Sequence, residues 1–423
     1  METMTSFARV QWWQDDLALE RVVRDLVAFE LAQARPGRVL PPQPWPANLD
    51  FVADLGADSL DLMGAATALG DLLGFGRSGM ADALLGQPLL ASWVIAARTS
   101  LERHDAALVF RTSGSSGAPK RCTHSLASLW REVDELARLA PGRRRILGAV
   151  PAHHIYGFLF TVLLPQAGTH VRPAVPVLDL RASSPASLAA RLEPGDLVVA
   201  HPDFWAQVAA LGQDFPPDVT GVTSTAPCPD AVAQALAAGG LRLLQVYGSS
   251  ETAGVGWRDA AGEAYRLLPY WRRTEIDNTL ERDRSGKSAG ESAGGGGVER
   301  HALQDRLAWR GPDRFIPNGR IDNAVQVGGI NVFPAYVGEV LAMHPQVAQC
   351  VVRPMRADEG TRLKAFVVPK QGAHGPAALR AALSNWVGER LAPAERPAAY
   401  SFGPALPRQP NGKLADWIID AWD

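Results

Sequence analysis

A loop rich in glycine and hydroxyl residues is the feature that most restricts how this chain can fold. It reads FRTSGSSGAPK over residues 110–120, after an apolar run typical of a strand and before a helical pattern at residues 126–140. Backbone N–H groups in such a loop can surround phosphate oxygens, and Lys120 adds a positive charge. The sequence therefore predicts a strand, a phosphate-binding loop and a helix in succession, with a nucleoside triphosphate as the ligand.

The spacing within this loop excludes the common P-loop of NTPases. That motif requires GxxxxGK[ST], whereas Gly114 and Gly117 are three residues apart and Ala-Pro precedes Lys120. Taken alone, the loop could also be a flexible Ser/Gly turn. The residues predicted to bind phosphate are Thr112, Ser113, Gly114, Ser115, Ser116, Gly117 and Lys120.

Composition excludes several classes of protein. The 423 residues are 47% hydrophobic and carry a net charge of −2, so the chain can form packed cores but has no basic field to hold nucleic acid or an anionic membrane. Three distant cysteines, Cys122, Cys228 and Cys350, exclude a disulfide framework and a CxxC metal site. No apolar run approaches the ~18 residues of a membrane span, and the N-terminus lacks a signal pattern. We expect a cytoplasmic protein without nucleic acid or membrane partners.

The hydrophobic pattern changes along the chain and predicts three parts. Residues 1–103 show helical spacing and are expected to be a helical segment. From residue 104 to residue 318, short apolar runs alternate with helical patterns, which predicts an α/β layered core domain. Residues 319–423 predict a smaller α+β domain.

Seven further motifs follow the loop in a fixed order. Together they resemble the acyl-adenylate-forming superfamily of acyl-CoA synthetases, peptide-synthetase adenylation domains and luciferases, whose phosphate loop reads close to TSGSTGxPK. The resemblance implies a layered adenylation core with a small mobile C-terminal domain, and the use of ATP, Mg²⁺ and CoA or phosphopantetheine. The motifs are PAHHIYG (151–157), STAP (224–227), VYGSSET (246–252), QDR (304–306), GRID (319–322), GINV (329–332) and NGK (411–413).

The resemblance assigns a nucleotide-binding task to several of these motifs. Tyr247 offers adenine an aromatic face, and residues 224–227 form the opposite wall. Ser250 bonds the α-phosphate, Glu251 provides a carboxylate oxygen for Mg²⁺, and Asp305 accepts from the ribose hydroxyls. The full set of implied nucleotide contacts outside the phosphate loop is Ser224, Thr225, Ala226, Pro227, Tyr247, Gly248, Ser249, Ser250, Asp305 and Arg320.

Lys413 is the residue on which the chemistry depends most. An Asn-Gly turn precedes it, and the family places this lysine between the substrate carboxylate and the α-phosphate. A cation there relieves the repulsion between two anions as the carboxylate attacks phosphorus. The alternative is an ordinary solvated lysine near the C-terminus. With Lys120, Ser250 and Glu251, Lys413 completes the expected catalytic set.

Two further residues are implied in the transfer to a thiol. Asp322 matches the hinge about which the family's C-terminal domain rotates between the two half-reactions. Gly329 and its strand would then border the path of the incoming thiol.

His154 and Tyr156 are the residues expected to line the acid pocket. Both belong to an aromatic-rich stretch, residues 154–160, which could equally be plain hydrophobic core.

The octapeptide DLGADSLD at residues 54–61 resembles an acyl carrier protein, in which the serine after Gly-x-Asp carries phosphopantetheine. Ser59 would be that serine. Alternatively, the segment is a remodelled N-terminal subdomain of the ligase, in which Ser59 only caps the helix that begins near Leu60, because Asp-Ser is ordinary N-cap chemistry.

The compact chain is similar overall to the small 4-coumarate ligases associated with photoactive yellow protein and to 4-hydroxybenzoate-activating ligases. That similarity favours a 4-hydroxyaryl carboxylic acid, 4-hydroxycinnamate first, activated to acyl-AMP and transferred to CoA. Three alternatives remain open: a medium-chain fatty acid as substrate, the loading of a carrier arm on Ser59 or on a separate acyl carrier protein, and a nucleotide-binding module without catalysis.

Overall fold

The computed structural model describes residues 11–35, 39–74, 84–112, 120–167, 174–284, 297–321, 324–373, 375–408 and 414–419. The chain divides into two compact units. Unit 1 comprises Met1–Thr112, Arg121–Leu303 and Leu307–Pro317, and unit 2 comprises Ser113–Lys120, Gln304–Arg306 and Asn318–Asp423.

Helices dominate the start of unit 1. Asp58 caps α2 through a reciprocal capping box with Asp61, and Gly74 ends the helix in the left-handed conformation at φ 78°. The helix-capping carboxylate is therefore that of Asp58, and Ser59 is the first residue inside the helix. The helices are α1 (Asp16–Ala34), α2 (Ser59–Leu73) and α3 (Leu90–Leu101).

These helices share one hydrophobic core with the strands that follow. Val22 on α1, Leu69 on α2 and Trp93 on α3 are fully buried in the same cluster as Leu108 and Phe158. Hydrophobic periodicity shows that a helix has an apolar face but does not show what that face packs against. The description of residues 1–103 as a separate carrier-like segment remains a prediction.

A nine-stranded sheet lies mainly in unit 1, and a separate two-stranded sheet (Ala107–Thr112 and Lys120–Ser125) precedes it in the chain. From edge to edge, the nine strands are β13 (Asp305–Trp309), β14 (Arg314–Arg320), β9 (Tyr265–Leu267), β8 (Ala253–Arg258), β7 (Arg242–Ser249), β6 (Thr220–Thr223), β5 (Asp196–Ala200), β3 (Arg145–Gly148) and β4 (Val177–Asp179). Strands β4, β3, β5, β6 and β7 are parallel, and β8, β9 and β14 continue the sheet in antiparallel fashion. The elements as far as β9 are β1 (Ala107–Thr112), β2 (Lys120–Ser125), α4 (Leu126–Leu139), β3 (Arg145–Gly148), α5 (Ile155–Phe158), β4 (Val177–Asp179), β5 (Asp196–Ala200), α6 (Pro202–Ala210), β6 (Thr220–Thr223), α7 (Asp230–Ala238), β7 (Arg242–Ser249), β8 (Ala253–Arg258) and β9 (Tyr265–Leu267).

A second, three-stranded antiparallel sheet follows β9. Its long hairpin pairs Thr279 with Ala302 and Asp283 with Val298. The strands that follow β9 are β10 (Arg272–Arg273), β11 (Thr279–Asp283), β12 (Val298–Ala302), β13 (Asp305–Trp309) and β14 (Arg314–Arg320).

Unit 2 has a core of its own. β17 pairs antiparallel with β18, which pairs parallel with β19, and Leu341, Leu379 and Leu383 from two helices are fully buried against this sheet. Its elements are β15 (Val325–Val327), β16 (Ile330–Val332), α8 (Pro334–Ala342), β17 (Val347–Pro354), β18 (Leu363–Pro369), α9 (Pro376–Arg390) and β19 (Ala399–Phe402).

The predicted fold class, an α/β layered core with a small α+β domain after it, is confirmed. No helix among the described residues is long and apolar enough to cross a membrane.

Candidate active site

The carboxyl ends of β6 and β7 bring two of the predicted nucleotide motifs together. The strands are parallel neighbours, with Thr223 opposite Gln245, so residues 224–227 and Tyr247 leave the same edge of the sheet. Thr225 adopts a left-handed conformation at φ 78°, which costs energy for a residue that is not glycine. Strained backbone of this kind is concentrated where a ligand is bound.

Tyr247 is half-buried against other aromatic rings. Its ring centroid lies 5.2 Å from that of Phe315 and 5.8 Å from that of Tyr265. These contacts fix the plane of the ring and leave part of its surface exposed. Such a ring can serve as the face against which a purine packs.

The loop after Tyr247 turns so tightly that a glycine is required. A Cβ on Gly248 would lie 2.1 Å from the carbonyl oxygen of Ala253, and Ala253 has a φ of 59°. Ser249 and Thr252 close the turn reciprocally: the Ser249 N–H donates to Thr252 Oγ1 at 3.1 Å, and the Thr252 N–H donates to Ser249 Oγ at 3.3 Å. Ser250 and Glu251 are thereby presented at the tip of a rigid turn.

Three side chains that the sequence analysis did not single out hold the backbone of this turn. His124 Nε2 donates to the Ser250 carbonyl at 2.7 Å, Arg282 Nη1 donates to the Thr252 carbonyl at 3.3 Å, and Glu132 Oε1 accepts from the Gly254 N–H at 2.9 Å. All three residues are buried. They lie on β2, β11 and α4, far from the turn in sequence. The only sequence signal for any of them is the inward position of His124 in the strand after the phosphate loop.

Burial sets the protonation of two of these residues. It lowers the pKa of His124 to about 4, so the imidazole is neutral and its Nε2 carries the proton that the carbonyl accepts. It also raises the pKa of Glu132 to about 7. His124 is therefore uncharged at neutral pH, whereas Glu132 is mostly protonated below about pH 7 and mostly ionised above it.

A polar cavity of about 350 Å³ lies beside this turn. It is lined by residues of β2, α4 and the β11–β12 hairpin, among them His124 and Arg282, and by none of the residues predicted as site residues.

Tyr156 and His154 follow β3 in the chain, but Tyr156 is buried and hydrogen-bonded whereas His154 is exposed. The Tyr156 hydroxyl donates to the carbonyls of Ala200 and Val222 at 3.1 and 3.0 Å, so it links the ends of β5 and β6. Burial raises the pKa of this hydroxyl well above its ordinary value. His154 is exposed at the start of α5.

An aromatic cluster surrounds His154. The His153 ring centroid lies 4.1 Å from that of His154, and Phe29 on α1 lies 4.9 Å from His153 and 5.5 Å from His154. Within the described part of the chain, neither ring nitrogen of buried His153 has a hydrogen-bond partner. Phe29 and His153 were not predicted, although His153 belongs to the motif that was.

Unit 2 joins two motifs that lie apart in sequence. Asp305 Oδ1 is 3.7 Å from Arg320 Nη1, and the Gln304 carbonyl accepts from the Ile321 N–H at 2.7 Å.

Gly329 occupies the turn between β15 and β16 at φ 79°, and Lys120 is exposed at the start of β2. The remaining predicted site residues, Ser113, Gly114, Ser115, Ser116, Gly117, Asp322 and Lys413, lie outside the described residues, as does the side chain of Thr112.

The described residues contain no cluster of three or more His, Cys, Asp or Glu that could hold a metal ion. A single carboxylate, such as that of half-buried Glu251, suits Mg²⁺ that arrives with a nucleotide, because this ion usually keeps water and phosphate oxygens among its ligands.

Comparison with known proteins identifies the family of the chain. Residues 66–278 match the family of AMP-binding enzymes, and residues 336–413 match the AMP-binding enzyme C-terminal domain. The chain is 40% identical to a 4-coumarate–CoA ligase of Rhodobacter capsulatus, over 94% of this chain and 100% of that protein. It is 36% identical to a 4-coumarate–CoA ligase of Halorhodospira halophila, over 93% of this chain and 97% of that protein.

Among solved structures, the amide bond synthetase McbA from Marinactinospora thermotolerans has a similar fold, with a TM-score of 0.59, 20% identity and coverage of 94% of this chain and 92% of that one. The two family matches and the full-length relatives lead to one conclusion. The chain belongs to the AMP-binding enzyme family, the acyl-adenylate-forming ligases.

Proposed function

We propose that the protein activates a 4-hydroxyaryl carboxylic acid, with 4-hydroxycinnamate as the first candidate, and transfers the acyl group to CoA. The observation that carries this proposal is the rigid turn at the end of β7, which presents Ser250 and Glu251 beside the aromatic face of Tyr247. The full-length relatives named as 4-coumarate–CoA ligases support the choice of acid and of acceptor.

In the first half-reaction, a carboxylate oxygen of the acid attacks the α-phosphorus of ATP, and the bond to pyrophosphate breaks. Ser250 donates to an α-phosphate oxygen, while the ammonium groups of Lys120 and Lys413 offset the negative charge that accumulates in the transition state. Mg²⁺, held by Glu251, would neutralise phosphate charge as pyrophosphate leaves. Asp305 accepts from the ribose hydroxyls, and its position is fixed by Arg320.

In the second half-reaction, the CoA sulfur attacks the acyl carbonyl, AMP departs, and the thiol proton passes to solvent. Gly329 borders the path of the thiol, and Asp322 is the hinge residue. A residue without a side chain at the tip of the β15–β16 turn leaves room for a narrow pantetheine arm.

The aromatic cluster of Phe29, His153 and His154 supports a flat acid in preference to a flexible fatty acid. Planar rings pack on planar rings in offset or edge-to-face arrangements. Tyr156 then acts as a wall of the pocket, because its hydroxyl is already bonded to the carbonyls of Ala200 and Val222.

The test is a product screen by mass spectrometry with ATP, CoA and one acid at a time: 4-hydroxycinnamate, 4-hydroxybenzoate and a medium-chain fatty acid. We expect the aryl thioester and AMP to accumulate fastest with 4-hydroxycinnamate. Preference for the fatty acid would contradict the proposed substrate, and ATP binding without product from any acid would favour a non-catalytic nucleotide-binding module.

A second candidate acceptor is a phosphopantetheine arm on Ser59, and three observations favour it. Asp58 caps α2, so the Ser59 hydroxyl is not used for capping. The serine is exposed, and Leu60 and Met63 beside it expose 74% and 51% of their surface. An exposed apolar pair next to a serine at a helix start suits recognition by a modifying enzyme.

Intact-mass measurement after treatment with a phosphopantetheinyl transferase and CoA tests this candidate. A mass increase that Ser59→Ala abolishes would support loading in cis. An unchanged mass would end the cis version and leave CoA or a separate acyl carrier protein as the acceptor.

A further inference from the structure

Unit 2 contains a fully buried lysine at the centre of a group of charges. The Lys364 side chain is 1% exposed. Its Nζ lies 2.7 Å from Glu359 Oε2 and 3.1 Å from Asp416 Oδ1, and it donates to the Trp417 carbonyl at 2.6 Å. The ammonium also lies 4.9 Å from the centre of the Trp417 ring. A buried charge is costly to desolvate unless partners of this kind surround it.

These partners come from two different parts of unit 2. Glu359 lies between β17 and β18 and also accepts from Arg356 Nη2 at 2.7 Å. Asp416 and Trp417 belong to the C-terminal tail, and the buried Trp417 ring packs edge-on against Phe366 at 5.6 Å. Lys364 therefore fastens the tail to β18.

The C-terminal tail is hydrogen-bonded to unit 2 at a second place, directly after residue 413. Arg353 on β17 donates to the Leu414 carbonyl at 2.9 Å, and the Ala415 N–H donates to the Pro407 carbonyl at 2.9 Å. Leu414 also forms an antiparallel bridge with Arg408. Arg408 and Leu414 are thus paired with each other, and Leu414 is bonded to the sheet of unit 2.

We propose that Lys364 is a positioning residue for adenylation: it fixes residues 414–417, the chain directly after Lys413, to β18. This inference rests on the proposed function. Lys364 contacts neither substrate nor nucleotide and acts through the tail alone. A displacement of about 1 Å at a catalytic group can cost up to ~10²-fold in rate, so a loosened tail should affect the step that uses Lys413 and spare the step that does not.

The test measures the two half-reactions separately in Lys364→Met, with Lys364→Arg as the conservative variant. We expect Lys364→Met to lower kcat for acid-dependent ATP–pyrophosphate exchange by about 10- to 100-fold, with a small change in the KM for ATP. Thioester formation from supplied acyl-AMP should stay within about twofold of the wild type. Lys364→Arg retains the cation that Glu359 and Asp416 surround, so it should lose less exchange than Lys364→Met.

Lys370→Met is the matched control, since this lysine is exposed at the end of the same strand and should change neither half-reaction. Should Lys364→Met fail to fold, Asp416→Asn is the milder substitution, because it weakens the same attachment while the cation stays paired with Glu359. It should reduce exchange selectively, by a smaller factor.

Equal losses in both half-reactions would overturn the positioning role, and so would unaffected exchange in Lys364→Met and Asp416→Asn. If the wild type exchanges and Lys413→Ala does not, while Lys364→Met behaves like the wild type, only this inference fails. If the wild type shows no ATP–pyrophosphate exchange with any acid, the proposed function itself fails.

Discussion

His124 is a single neutral side chain that fixes the backbone of the turn carrying Ser250. Its imidazole donates to the Ser250 carbonyl at 2.7 Å, and burial keeps its pKa at about 4. A protonated imidazole there would add a cation beside Arg282, whereas the neutral ring supplies only a directed hydrogen bond. We therefore expect the residue to position the turn and not to transfer protons.

Replacing this histidine tests that role. His124→Ala should lower the rate of ATP–pyrophosphate exchange by about 10-fold or more, since the Ser250 carbonyl loses its buried donor. His124→Asn, which can still donate, should lose less. A pH profile of the wild type that shows no inflection assignable to a histidine between pH 5 and 8 would agree, and full activity in His124→Ala would contradict the role.

Glu132 permits a prediction about stability. Its pKa rises from 4.5 to about 7 on folding because of burial, so the folded state holds its proton more tightly than the unfolded state does. The resulting stabilisation is complete below pH 4.5 and is lost as the pH rises toward 7. Glu132→Gln keeps the acceptor for the Gly254 N–H and removes the titration.

Chemical denaturation between pH 4.5 and 8 should show this difference directly. The free energy of unfolding of Glu132→Gln relative to the wild type should rise by on the order of 2–3 kcal/mol across that range. A constant difference between the two proteins would contradict the assignment.

For single helices and strands, the sequence predicts local structure better than it predicts which distant side chains contact them. The residues of the 246–252 motif end a strand and form a turn, as their glycine and hydroxyl content indicates. The three side chains that hold that turn lie 30, 122 and 126 residues along the chain from the backbone groups they bond. Spacing rules describe neighbours within an element, so long-range contacts of this kind were beyond prediction.

Two glycines on different elements should respond to alanine in opposite ways. A Cβ on Gly64, within α2, meets nothing within 4 Å, so Gly64→Ala should stabilise the protein by about 0.5–1 kcal/mol. A Cβ on Gly248 meets the Ala253 carbonyl at 2.1 Å, so Gly248→Ala must displace the turn and should abolish exchange. Thermal unfolding and exchange assays on both variants check this, and an active Gly248→Ala would show that the turn is not required.

In the protein as a whole, the N-terminal helices are the part whose packing is hardest to predict from the sequence. Their apolar faces were predicted, but the sequence left open whether they form a separate carrier-like segment or an N-terminal subdomain. Val22 and Trp93 lie in the hydrophobic core of unit 1. That burial depends on contacts with strands far along the chain, which the motif at Ser59 does not indicate.

The division of the chain into two units predicts that the half-reactions can be separated by substitution. Gly329 sits at φ 79° in the β15–β16 turn, where a branched side chain is strained and would narrow the proposed thiol path. Gly329→Val should slow thioester formation from supplied acyl-AMP by about 10-fold or more while exchange continues. Loss of exchange with thioester formation intact would reverse the proposed assignment.

The proposed reaction depends on an ammonium from the C-terminal tail, that of Lys413, to allow a carboxylate to attack ATP. The decisive experiment is 4-hydroxycinnamate-dependent ATP–pyrophosphate exchange in the wild type and in Lys413→Ala. We expect exchange in the wild type and a loss of about 10²-fold or more in the variant, with thioester formation from supplied acyl-AMP retained. Undiminished exchange in Lys413→Ala, or no acid-dependent exchange in the wild type, would contradict it.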